Sequence, residues 1–162
     1  MALKGNRVET ISEISFFMNE VAERGGIVCM STAGSGAALD QSAALVTYAA
    51  APTSGSPKAM GMLMNDMVDI DQTRQHINWH KDEMQKGGKV RILREGWAVT
   101  DMIYPGVTPT PGQVAYVAHS GYISNASIIP DGKLEVGFFD SVKDEDGYAR
   151  VYVKLPNINA HV

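Results

Sequence analysis

Cysteine is almost missing from this sequence of 162 residues: Cys29 is the only one, so no disulfide can form within the chain. It sits in the apolar run Ile27-Val28-Cys29-Met30, where a small buried hydrophobe is the plain expectation. A positive excess is missing as well. Lys and Arg number 14 against 18 Asp and Glu, a formal net charge of −4, and both signs are scattered along the chain. That distribution argues against a nucleic-acid-binding face. Long apolar runs are absent too, for no window approaches the roughly 20 apolar residues a membrane span needs. The opening residues, MALKGNR, lack the apolar stretch of a signal peptide. The expectation is a soluble protein made in a cytoplasm, with no membrane partner.

What the chain does have is punctuation. With Gly at 16 and Pro at 7, short apolar runs are interrupted at close intervals, a pattern that favours many strands and turns. Strands are predicted at 27–31, 45–49, 59–64, 114–117, from 121, at 134–139 and at 148–155. Turns are predicted at Tyr104-Pro105-Gly106, Pro111-Gly112, Pro130-Asp131-Gly132 and Asp144-Glu145-Asp146-Gly147. Residues 89–100 read as a hairpin, with Glu95-Gly96 turning the chain and Trp97 starting the return strand. Met60, Met62 and Met64 fall on one strand face, where a methionine row most often fills a core. Two strands carry an internal glycine, Gly61 and Gly137, in the similar stretches AMGML and EVGFF. Glycine inside a strand implies close approach by another backbone or a large side chain.

One segment departs from this pattern. Between residues 10 and 25, Ile11, Ile14, Phe17, Met18 and Val21 recur at three- and four-residue steps, which predicts an amphipathic helix. Thr10 and Glu13 fit a capping box at its start, and Gly25 supplies a stop. Phe16 adds a second aromatic beside the stripe, so an extended arm is the other possibility. The predicted fold is mainly β, a small antiparallel β-barrel or sandwich with an N-terminal helix or arm. Residues 1–26 form that helix or arm and 27–162 the β-rich body.

Catalytic chemistry is poorly represented. His76 and His80 stand four apart with Glu83 beyond, a helical zinc spacing, but Ile77 and Trp79 alternate with the histidines at the period of a strand. On a strand the two imidazoles would lie about 13 Å apart, too far to share an ion. The position after the first histidine, where a zinc-protease helix carries its glutamate, holds Ile77. Surface polar roles are expected for both histidines, and burial for Trp79. Neither Asp66, Asp69 and Asp71 nor 144–147 has calcium-loop spacing. Gly34-Ser35-Gly36 lacks the lysine of a phosphate loop and runs into Asp40, and Ser54 occupies no nucleophile elbow. The reading is of a protein that is not an enzyme and needs no metal or cofactor. A metal-dependent enzyme using His76 and His80 is the alternative from another class.

Several stretches resemble the small head-decoration, or cement, proteins of tailed bacteriophages. They are 13–26 (EISFFMNEVAERGG), 60–66 (MGMLMND), 87–90 (GGKV) with 96–100 (GWAVT), and 112–117 (GQVAYV) through 136–138 (VGF). Similar patterns occur in phage tail, baseplate and head–tail connector proteins. The resemblance implies a virion protein made in the host bacterial cytoplasm. It would bind the outer capsid surface as a homotrimer and bridge subunits of the major capsid protein. In that setting Ile11, Ile14, Phe16, Phe17, Met18 and Val21, together with Trp79, are the expected partner-binding residues, because apolar and aromatic side chains give large contact area at small ordering cost.

Overall fold

Ala149, Val151 and Val153 alternate with Arg150, Tyr152 and Lys154, and the first three are buried while the second three face outward. That period of two organises most of the chain. The computed structural model describes residues 3–4, 7–32, 45–48, 59–64, 83–84, 86–126 and 134–155. Its strands are β1 (Val8–Met18), β2 (Ala22–Glu23), β3 (Ile27–Thr32), β4 (Leu45–Tyr48), β5 (Ala59–Leu63) and β6 (Glu83–Met84). They continue as β7 (Lys89–Thr100), β8 (Val114–Val117), β9 (Ile123–Ser124), β10 (Glu135–Phe139) and β11 (Ala149–Lys154). Among the described residues there is no α-helix, and so none long and apolar enough to cross a membrane.

Nine strands form one sheet in the order β1-β4-β3-β5-β7-β11-β10-β8-β9, and β1 also pairs with β7. The extra pairing closes β1, β4, β3, β5 and β7 into a ring, while β11, β10, β8 and β9 extend from the C-terminal half of β7. The fold is therefore mainly β and barrel- or sandwich-like. Two apolar interiors follow from it. Phe16, Met18, Val28, Val46, Leu63, Val90 and Ile92 come from all five ring strands and pack together. Ile27, Cys29, Met62 and Met64 leave the other faces of β3 and β5 to meet Val117, Val136, Phe139, Val151 and Val153. Strands β3 and β5 are buried on both faces, which is why 27–30 and 59–64 read as unbroken apolar runs.

The N-terminal helix is not formed: residues 8–18 are strand β1, antiparallel to β7 from Val8↔Trp97 to Phe17↔Lys89. The helical spacing has a physical origin in the strand itself. Its register with β7 shifts between Glu9 and Ile11, between Ile11 and Ser12, and between Glu13 and Phe16, and a bulge on β1 adds a residue to a period-two pattern, turning a step of two into a step of three. Glu13 caps no helix. Its Oε1 accepts the amides of Ile14 and Ser15, each at 3.2 Å, and the Ser15 hydroxyl, satisfying backbone donors where the ladder is interrupted.

The 89–100 hairpin is also replaced by something simpler, one continuous 12-residue strand, β7. Gly96 does not turn the chain. It sits at φ +147°, and a Cβ there would collide with the Val8 carbonyl oxygen across the β1–β7 pairing. Val90 and Ile92 enter the ring core whereas Leu93 and Ala98 enter the second core, and β7 changes sides at Arg94, the extra residue where the β1–β7 register passes from Ile11↔Glu95 to Ser12↔Leu93. The methionine row divides in a similar way. The β3–β5 register passes from Val28↔Gly61 to Cys29↔Ala59, leaving Met60 as an extra residue. Met62 and Met64 therefore belong to the second core, while Met60 packs on the ring core.

The in-strand glycines meet the close approach expected of them. A Cβ on Gly61 would lie 2.6 Å from the Leu93 carbonyl oxygen, and one on Gly137 would collide with that of Tyr152. The predicted turns at 104–106, 111–112 and 144–147 are present as well, with Gly106, Gly112 and Gly147 at φ +83°, +86° and +89°. The turn at 130–132 lies outside the described residues.

Candidate docking face

In an antiparallel sheet, directly paired residues carry their side chains on the same face. Following the registers across the sheet, Val8 pairs with Trp97, Trp97 with Tyr152, Tyr152 with Phe138, and Phe138 with Val114. These five residues form one straight row over β1, β7, β11, β10 and β8, on the face turned away from the second core. At about 4.8 Å per strand the row is about 19 Å long.

The row is apolar and open to solvent. Val8, Phe138 and Val114 are 52%, 37% and 39% exposed, and Trp97 and Tyr152 are half-buried. Tyr152 is the centre of an aromatic stack, its ring centroid 4.8 Å from Trp97 and 4.9 Å from Phe138, with interplanar angles of 52° and 34°. Such tilted contacts stabilise ring pairs and fix their orientation. The Tyr152 hydroxyl donates to Glu95 Oε1 at 3.2 Å. Partial desolvation, followed by that bond, holds its pKa above the usual phenol range.

Charged residues border the row. On one side Lys154 and Glu95 are directly paired. On the other, Arg150 places its guanidinium 5.7 Å from the Trp97 ring centroid and its Nε 3.4 Å from Asp140 Oδ2. Beside Trp97 lies a shallow groove of about 210 Å³ lined by Arg7, Val8, Trp97, Val99 and Arg150. An apolar centre within a polar border is the usual anatomy of a protein-binding patch.

The residues predicted to bind a partner are dispersed by the strand geometry. Phe16 and Met18 are inside the ring core, and Ile14 and Phe17 are half-buried. The Arg94 guanidinium stands 5.6 Å from the Phe16 ring centroid, and Lys89 Nζ 5.8 Å from that of Phe17. Ile11 is exposed opposite Glu95. Val21 is exposed at a second depression, of about 340 Å³, bordered by Glu20, Glu23, Tyr48, Met102 and Tyr122. Here Glu20 is committed structurally, accepting from the Thr47 hydroxyl at 2.5 Å and the Tyr48 amide at 2.6 Å.

Trp79, His76 and His80 lie outside the described residues, as do Asp66, Asp69 and Asp71, Gly34 to Asp40, and Ser54. Glu83 is on strand β6. Among the described residues, no three or more His, Cys, Asp or Glu side chains converge as metal ligands would. The exposed row eluded sequence reasoning because its members are scattered from 8 to 152. Each is an outward position in its own strand, but only the pairing registers align them. No protein-family model matches the chain, and no curated protein matches it by sequence.

Proposed function

We propose that this chain is a non-enzymatic virion structural protein. It binds the outer surface of an assembled phage capsid and stabilises the shell by bridging major capsid subunits. The observation that carries this reading is the row Val8–Trp97–Tyr152–Phe138–Val114, an exposed apolar ridge on a sheet whose opposite face is core. A contiguous apolar patch with a polar border is suited to docking on another protein. The sequence resemblance to head-decoration proteins supplies the nature of that protein.

The stabilising mechanism needs no chemistry. A protein that binds the expanded lattice and not loose subunits shifts the equilibrium toward the lattice by mass action, about 2.7 kcal/mol per site at a hundredfold excess over Kd. Trimeric association multiplies the effect, since three linked contacts dissociate together far more slowly than one. The test is uptake of purified chain by expanded capsids of the phage that encodes it. Co-sedimentation and a raised shell-melting temperature are expected, with both lost in a Trp97→Ser, Phe138→Ser variant. Capsids that neither take up the chain nor gain heat resistance would rule the reading out, and a location on the tail or connector would redirect it.

A further inference from the structure

We infer that the groove beside Trp97 recognises an acidic segment of a protein partner, holding a carboxylate between the Arg7 and Arg150 guanidiniums while an apolar side chain rests on the aromatic row. This rests on the reading of the sheet face as a docking surface and specifies what docks there. Among the described residues the groove is lined by two guanidiniums, one indole and two valines, with no acid. Each arginine has five N–H donors. Arg7 bonds Glu9 through Nε at 2.5 Å, and Arg150 meets Asp140 at 3.4 Å, also through Nε. The planar, terminal N–H pairs of both side chains are the geometry that binds carboxylates in a bidentate way. Arg150 is held above the indole by its cation–π contact, which orients the charge without consuming those donors.

A nucleic acid fits this surface less well. Base stacking needs free ring faces, but here Trp97, Tyr152 and Phe138 pack against one another at 4.8 and 4.9 Å and Arg150 covers part of the indole. Asp140 and Glu95 border the same row. A continuous phosphate backbone would be repelled where a single carboxylate is not.

The experiment titrates the full chain with three probes while following the Trp97 indole N–H resonance, assigned with Trp97→Phe. The probes are the capped peptide acetyl-Leu-Asp-Leu-Glu-Leu-amide, its counterpart with Asn and Gln in place of the acids, and an oligothymidylate. The acidic peptide is expected to bind, more weakly as salt rises. Arg150→Gln is expected to weaken it by about tenfold, and the neutral peptide to bind weaker by a similar factor. Arg7→Gln is the second variant, with the same loss expected. Absent binding, equal affinity for the neutral peptide, unchanged affinity in both variants, or preference for the oligothymidylate would each overturn the inference. Because the peptides bind without any capsid, such a failure is distinct from a failure of capsids to take up the chain.

Discussion

Glu13 illustrates how one side chain can serve two different local structures. Its distance from Thr10 suits a helix cap, yet its carboxylate instead gathers the Ile14 and Ser15 amides and the Ser15 hydroxyl within a bulged strand. The Ser15 hydroxyl, then the Ser15 amide, lower its pKa against an opposing desolvation. A depressed carboxyl pKa contributes stability in full above the ordinary glutamate value and loses it as pH falls through the folded value. Glu13→Ala is therefore expected to cost about 1 kcal/mol near neutral pH and progressively less in acid, as read from urea midpoints across pH. Tyr48 has the opposite sense. Its hydroxyl accepts from the Gly26 amide at 3.1 Å and donates to the Glu23 carbonyl, and burial pushes its pKa up. An acid whose folded pKa is raised favours folding below its unfolded pKa, so stability should fall as pH climbs past about 10. Tyr48→Phe should remove that alkaline loss at a cost of about 1–2 kcal/mol at neutral pH. Gly137 tests backbone proximity. Its Cβ would strike the Tyr152 carbonyl oxygen, so Gly137→Ala should destabilise by about 1–3 kcal/mol through forced strand separation, measurable by thermal melting.

At the scale of elements, strands β3, β5, β8, β10 and β11 were legible because their apolar residues either run unbroken or alternate cleanly between turn residues. Strand β1 was not. The three register shifts along its pairing break the alternation into helix-like steps, and nothing local reveals that its partner is β7, some 80 residues away. Strand β7 was misread for a related reason. The dipeptide Glu95-Gly96 has turn composition, but Gly96 serves the close passage of β1 instead. The candidate site shared this fate, since Trp97, Tyr152 and Phe138 are visible as residues in strands while their alignment depends on long-range register. The strand reading of β1 makes its own prediction. Glu13→Pro, in the part of β1 paired to Ile92 of β7, cannot donate to the ladder and should lower the melting temperature, whereas a helix capped at Thr10 would accept proline there, in its first turn. Amide exchange should likewise place β1 among the slowly exchanging strands.

For the whole molecule, two cores share strands β3, β5 and β7 and leave the outer face of β7, β11, β10 and β8 as a platform. Surface substitutions on that platform should separate folding from docking. Phe138→Ser, at a side chain 37% exposed but stacked on Tyr152, should cost about 1–2 kcal/mol, clearly less than the about 3–5 kcal/mol of buried Phe139→Ala. Homotrimer formation is read from molar mass in solution, with three chains expected per particle. The most direct measurement is a reconstruction of the assembled virion at side-chain resolution. The expected result places this chain on the outer shell with Trp97, Tyr152 and Phe138 against the major capsid protein. A shell without the chain, or a chain whose aromatic row faces solvent on the particle, would contradict it.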